Sequence, residues 1–114
     1  MRVLLDENMP HALRRHLGDH DTWPAVLMGF GGFKNGALLQ AAEDAGFDVL
    51  VTGDRTLEYE QNLSGRTIAV VALSANSWKI IQNHTPKIAA AIDTAPTGQV
   101  TRVEVGEFVR RKRE

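Results

Sequence analysis

The sequence predicts an α/β fold built on a small, mostly parallel sheet with helices on both faces, a three-layer α/β/α sandwich. Short apolar runs alternate along the chain with segments of helical periodicity, an order that favours parallel strands joined by right-handed crossovers. Two of these runs, residues 3–5 and 49–51, are apolar throughout. Such runs are typical of strands that are covered on both faces.

Length and composition indicate one domain. The chain has 114 residues, of which 43% are hydrophobic and 24% are charged, as in ordinary globular proteins. We assign residues 1–105 to the domain and residues 106–114 to a basic tail, in which positions 110–113 are all cationic. The net charge of −1 provides no overall attraction to nucleic acid.

Several classes of protein are excluded or disfavoured. The chain has no cysteine, which excludes disulfides, thiolate nucleophiles and cysteine-ligated zinc. No apolar stretch reaches the roughly 18–20 residues of a membrane span, and the start of the chain lacks the pattern of a signal peptide. We therefore expect a cytoplasmic protein that does not contact membranes.

The first half of the chain contains two predicted strands and a helix. Strand one covers residues 2–5 and is followed by a helix from Pro10, which ends at Gly18. A short strand is predicted at residues 20–23. Residues 24–36 contain four glycines and are predicted to form a loop over the edge of the sheet, since their match to phosphate-binding loop patterns is incomplete.

The second half continues the alternation of helices and strands. Asn35 is predicted as the N-cap of a helix that ends at Gly46. The later elements are predicted in this order: a strand at 47–52, a short helix at 56–62, a strand at 67–73, a helical turn at 78–82, a helix after residue 85 and an edge strand at 100–105, whose polar and apolar residues alternate.

Acidic residues follow two of the predicted strands. Asp6 and Glu7 end the first strand, and Asp54 follows the strand at 47–52. If these strands are parallel neighbours, the carboxylates converge at one edge of the sheet and form oxygen ligands for Mg²⁺ or Mn²⁺. In an extended chain Glu7 points away from Asp6, so only a turn would bring both to one ion. The alternative is that Asp6 and Asp54 are helix caps or ion-pair partners.

Cationic and polar side chains are predicted around this edge. Lys34 and Arg55 flank the acidic positions and are candidate contacts to a phosphate or, alternatively, counter-ions of the carboxylates. Ser74 and Asn76 follow the strand at 67–73 and are further candidates for substrate binding. The spacing of the four histidines does not indicate a metal site, and no G-x-S-x-G pattern indicates a hydrolase triad.

Three segments together resemble a family of small PIN-like domains that open with an LLDEN-P motif. They are LLDENMP at residues 4–10, LLQAA at 38–42 and VTGD at 51–54, and the resemblance covers about residues 1–93. It implies a PIN-type fold and a Mg²⁺- or Mn²⁺-dependent ribonuclease, often the toxin of a toxin–antitoxin pair. RNA and a cognate antitoxin are then the expected partners, and a homodimer is a further possible assembly.

The resemblance also assigns candidate catalytic residues. Asp6 and Asp54 match the two acidic positions that would hold the metal, and Glu7 matches the second acidic residue of the opening motif. The family commonly has an aspartate at the start of the second helix, where this chain has Asn35, next to Lys34. An amide still offers a carbonyl oxygen but lacks the charge of a carboxylate, which weakens metal binding. The alternative function is a catalytically degenerate binding module that acts through a protein partner.

Overall fold

Five strands form one sheet in the computed structural model, which describes residues 1–54 and 62–106. The strands are β1 (Arg2–Leu5), β2 (Asp21–Pro24), β3 (Val49–Thr52), β4 (Ala69–Leu73) and β5 (Val100–Val103). Their order is β2-β1-β3-β4-β5, and all four pairs are parallel. The α/β class is confirmed, with an all-parallel sheet rather than a mostly parallel one, and β5 lies at an edge as predicted.

The described residues include three α-helices and two 3-10 segments. The helices are α1 (Asn35–Asp44), α2 (Trp78–Ile81) and α3 (Thr85–Thr94), and the 3-10 segments are His11–His16 and Ala25–Met28. The predicted α-helix after Pro10 is therefore wrong in type: the Leu13 N–H donates to the Pro10 carbonyl, three residues back. Tight 3-10 turns are a common form of such short connectors. The helix predicted at 56–62 falls almost entirely outside the described residues.

Alternate residues of the strands pack into two separate apolar clusters. Val3, Leu5, Val49 and Val51 belong to one cluster, together with Leu13 of the first 3-10 segment and Ile88 and Ile92 of α3. Leu4 and Leu50 belong to the other, together with Leu38 and Leu39 of α1. Since successive strand residues point to opposite faces, both faces of the sheet are covered, which is compatible with the predicted three layers.

Glu43 connects α1 to the segment that leads into β4. Its carboxylate pairs with the Arg66 guanidinium and accepts hydrogen bonds from the Thr67 N–H (2.5 Å) and hydroxyl (2.9 Å). Burial raises the pKa of Glu43, but the bonds from Thr67 and Arg66 outweigh this effect and hold the pKa below its usual range.

In the part of the chain that the structure describes, no helix is long and apolar enough to span a bilayer.

Candidate functional site

The order of the strands places a topological switch point at the carboxyl ends of β1 and β3, which is where the ligand crevice of an open α/β sheet lies. β2 lies on one side of β1 and β3 on the other, so the connections that leave β1 and β3 run in opposite directions across the sheet. Ligands of open α/β sheets bind at such a switch point, beyond the carboxyl ends of the strands. The prediction that the two acidic stretches follow neighbouring parallel strands is confirmed.

The register places Asp6 beside the end of β3. Leu5 is level with Val51, and the Asp6 N–H extends the ladder by donating to the Val51 carbonyl at 2.9 Å. The Asp6 residue is only 9% exposed. Its Oδ1 accepts a hydrogen bond from the Glu7 N–H at 2.8 Å, and its Oδ2 accepts one from the Thr52 hydroxyl at 2.7 Å. These bonds compensate for the burial of a charged group.

Thr52 connects the two predicted metal ligands. Its side chain is fully buried, and its hydroxyl both donates to Asp6 and accepts a hydrogen bond from the Asp54 N–H at 3.0 Å. One hydroxyl therefore orients the Asp6 carboxylate and fixes the backbone that carries Asp54. This role was not predicted from the sequence, although a threonine hydroxyl commonly accepts a hydrogen bond from the backbone two residues further on.

Asn35 is turned towards Asp54. The Asn35 amide nitrogen donates to Asp54 Oδ2 at 2.8 Å. The predicted N-cap role of Asn35 is wrong, because Lys34 is the N-cap, with φ −78° and ψ 164°, and Asn35 is the first helical residue. A carboxylate is a stronger acceptor for the amide than a neutral group would be. Asn35 thus contacts a residue of the predicted site directly.

Glu7 lies in the turn that follows β1. The Met9 N–H donates to the Asp6 carbonyl at 2.9 Å, which closes this turn, and the Glu7 carboxylate accepts a hydrogen bond from the Gly32 N–H at 2.6 Å. Glu7 therefore ties the glycine-rich segment to the edge of the sheet. Among the described residues, no three acidic, histidine or cysteine side chains are placed to share one metal ion.

Amide side chains line the edge of the crevice next to Asp54. The Gly53 N–H donates to the Asn8 side-chain oxygen at 3.3 Å. A Cβ atom at Gly53 would lie 2.8 Å from the Met9 methyl carbon and 3.3 Å from the Asn76 Cβ, so only glycine fits here without a rearrangement. This close packing brings Asn76, a predicted substrate contact, beside the turn that carries Asp54. No role was predicted from the sequence for Asn8 or Gly53.

Two of the remaining predicted substrate contacts, Ser74 and Lys34, lie in the described residues. The Ser74 hydroxyl accepts a hydrogen bond from the Val105 N–H at 2.9 Å, which ties it to the chain after β5. Lys34 is exposed at the start of α1, next to Asn35. Arg55 lies outside the described residues, as do positions 107–114 of the predicted basic tail.

The donor set suits one hard divalent cation. Each Asp6 oxygen accepts one hydrogen bond, and a carboxylate oxygen has lone pairs for about two. Asp6 and Asp54 would supply carboxylate oxygens and Asn35 an amide oxygen, and Mg²⁺ commonly binds to one or two protein carboxylates and retains water. To ligate a metal, Asn35 would have to rotate its amide, because it now points its nitrogen at Asp54.

Searches for similar proteins give this site no parallel: no protein-family model, curated protein or solved structure matches the chain.

Proposed function

We propose that this chain is a cytoplasmic, Mg²⁺- or Mn²⁺-dependent ribonuclease of PIN-like type. The observation that carries the proposal is the Thr52 hydroxyl, which holds Asp6 and the backbone of Asp54 together at the switch point of the sheet. Asp6 is buried there as a carboxylate with hydrogen bonds to both oxygens. A buried and oriented carboxylate at a ligand crevice is typical of a functional site.

Each residue of the site has a defined task in this proposal. Asp6 and Asp54 would hold the ion, and Thr52 would keep their separation constant. Asn35 would orient Asp54, and the exposed Lys34 would contact a phosphate of the RNA backbone. A bound Mg²⁺ or Mn²⁺ would supply positive charge at the scissile phosphate and activate a water for attack. Glu7 would act indirectly, by holding the glycine-rich segment through Gly32.

The resemblance to PIN-like domains extends the proposal to a biological role. In that role the ribonuclease is the toxin of a toxin–antitoxin pair, and a cognate antitoxin binds and silences it. Co-expression with the product of the adjacent reading frame tests this role. Formation of a stable complex that loses RNA cleavage would support it, and independent purification of two fully active components would contradict it.

Cleavage of RNA in Mn²⁺ tests the enzymatic proposal. The wild-type protein should cut a labelled single-stranded RNA in Mn²⁺ and leave it intact in EDTA. Asp54→Asn should lose this activity, because an amide cannot replace the charge of a metal-binding carboxylate. Asp19→Asn is the matched control, since Asp19 is exposed before β2, at the opposite edge of the sheet. Equal cleavage by the wild type and Asp54→Asn would contradict the assignment.

One contact favours a second candidate, a degenerate binding module without catalysis. The Asn35 amide nitrogen already donates to Asp54 Oδ2 at 2.8 Å, so a hydrogen bond occupies an oxygen that a metal would use. In this case the acidic edge would be a structural remnant, and a protein partner would define the function. Titration calorimetry with Mn²⁺ distinguishes the two candidates, because only the ribonuclease should give a binding isotherm that Asp54→Asn removes.

A further inference from the structure

A pair of stacked aromatic rings lies in the glycine-rich segment beside the candidate site. The Phe30 and Phe33 ring centroids are 5.5 Å apart, with an angle of 25° between the ring planes. The Phe33 N–H donates to the Phe30 carbonyl at 3.1 Å, so the rings sit on one closed turn. Phe30 is partly buried against the α1 side of the sheet, whereas 44% of Phe33 remains exposed. Phe33 is therefore an exposed ring with a packed ring supporting it.

Two connections hold the backbone on either side of Phe33 near the acidic residues. The Gly32 N–H donates to Glu7 at 2.6 Å, one residue before Phe33, and Glu7 directly follows Asp6. Two residues after Phe33, Asn35 contacts Asp54. Two residues of extended chain span at most about 7 Å. The backbone of Phe33 therefore lies within about the length of one nucleotide of the backbone of Asn35.

The chemistry around Phe33 fits a nucleotide better than it fits an apolar protein surface. Lys34, the next residue, is exposed and cationic, so a cation that could contact a phosphate directly follows the ring in the chain. An exposed aromatic ring next to a cation is the recurring element of single-strand binding sites, where bases stack on rings and the backbone follows positive charge. A base that is paired in a duplex has no free face for such a ring.

We propose that Phe33 is a stacking platform that seats one unpaired base of single-stranded RNA beside the Asp6–Asp54 edge. This inference rests on the proposed ribonuclease function and assigns to Phe33 the contact with a base of its RNA substrate. The base stacks on the exposed face of Phe33, Phe30 supports the ring from behind, and Lys34 contacts the adjoining phosphate. The ring thereby determines which nucleotide reaches the carboxylates.

Binding of a fluorescently labelled RNA 12-mer without secondary structure, measured by anisotropy in EDTA at low salt, tests the platform without any cleavage. Phe33→Ala should weaken binding by roughly tenfold to a hundredfold, as expected for the loss of one stacked base, and Phe33→Trp should restore it. Leu27→Ala is the matched control: Leu27 is 59% exposed in the same segment, and its loss should leave RNA binding unchanged. A duplex of the same sequence should bind wild type and Phe33→Ala equally.

A second probe checks that the ring contacts a base. A set of 12-mers, each with one abasic position, should include one that binds the wild type more weakly than the intact RNA, and this difference should disappear in Phe33→Ala. Equal binding of intact RNA by wild type and Phe33→Ala would overturn the platform, as would a wild type that binds no RNA. An effect of Leu27→Ala as large as that of Phe33→Ala would indicate a general apolar surface for a protein partner and would also overturn it.

The binding and cleavage assays together distinguish failure of the proposed platform from failure of the proposed ribonuclease function. If Phe33→Ala binds RNA as well as the wild type while Mn²⁺-dependent cleavage still requires Asp54, only the platform fails. If RNA binding depends on Phe33 but no cleavage occurs in Mn²⁺, the ribonuclease fails and the platform remains as an RNA-binding site.

Discussion

Replacement of Asn35 by aspartate tests the electrostatics of the candidate site. The substitution introduces the aspartate that PIN-like domains, which the sequence resembles, commonly have at the start of the second helix, and it changes one amide into a carboxylate. In the wild type, the Asn35 amide donates to Asp54 Oδ2 at 2.8 Å. In Asn35→Asp, two carboxylates meet at this contact, and without a cation the folded state should be less stable.

The expected loss of stability in Asn35→Asp can be estimated from the contact between residue 35 and Asp54. A hydrogen bond to a charged group contributes about 1.5–3 kcal/mol. Two like charges about 4 Å apart repel by about 1 kcal/mol in water and about 4 kcal/mol near a protein surface. Asn35 and Asp54 are partly exposed, which favours the lower part of this range, and protonation of one carboxylate limits the cost. We therefore expect a loss of about 2–4 kcal/mol, or a fall in Tm on the order of 10 °C for a domain of this size.

Thermal unfolding with and without Mn²⁺ measures both parts of this prediction. In EDTA, Asn35→Asp should melt below the wild type. In Mn²⁺ it should gain more in Tm than the wild type does, because a ligand at a hundredfold its Kd stabilises the folded state by about 2.7 kcal/mol. Gln99→Glu is the matched amide-to-acid control, since Gln99 is exposed before β5, at the other edge of the sheet, and it should show neither effect.

Two results would contradict the prediction for Asn35→Asp. An Asn35→Asp protein that melts with the wild type in EDTA would show that the contact between residue 35 and Asp54 does not contribute to stability. A destabilised Asn35→Asp protein that Mn²⁺ fails to rescue would show that this edge does not hold a divalent cation.

Three other substitutions test separate parts of the structure. Thr52→Val keeps the shape of the buried side chain but leaves Asp6 and the Asp54 N–H each without one hydrogen-bond partner, so urea unfolding should show a loss of about 1–3 kcal/mol, which Thr52→Ser largely restores. Because the pKa of Glu43 is lowered in the folded state, the unfolded chain binds more protons at this residue. The contribution of Glu43 to stability is therefore present above the unfolded pKa and is lost as the pH falls through the folded pKa. The urea midpoint of Glu43→Gln should depend less on pH in the acid range than that of the wild type, and equal dependence would contradict this prediction. Lys34→Gln should weaken binding to all single-stranded RNAs similarly and lower the slope of log affinity against log salt by about 1; an unchanged slope would remove Lys34 from the phosphate contacts.

The sequence was sufficient to predict how the strands position the acidic residues. Apolar runs that end in Asp6 and before Asp54 identify buried parallel strands, and parallel strands end at a common edge of the sheet. The strand positions follow from local periodicity and therefore needed no knowledge of tertiary contacts. For Glu7 the sequence left two outcomes open, an extended chain or a turn; the chain turns after Asp6, and the Glu7 carboxylate accepts a hydrogen bond from the Gly32 N–H.

The connections at the site depend on tertiary contacts and could not be predicted in the same way. The Thr52 hydroxyl reaches Asp6 across 46 positions of the sequence, and only the register of β1 against β3 brings the two together. Asn35 has the residue type of an N-cap, but Asp54, which is distant in sequence, attracts its amide. Phe33 lies in a segment without periodicity, where its stacking on Phe30 and the bond between Gly32 and Glu7 are tertiary features that the sequence does not indicate.

The most direct measurement is a crystal structure of the protein grown in Mn²⁺, with anomalous data collected at the manganese edge. We predict one anomalous peak beyond the carboxyl ends of β1 and β3, with carboxylate oxygens of Asp6 and Asp54 at about 2.1 Å, close to the distances of Mg²⁺ sites. Crystals of Asp54→Asn grown in the same way should lack this peak. An empty crevice in the wild type, with the Asn35 amide still bonded to Asp54, would contradict the account.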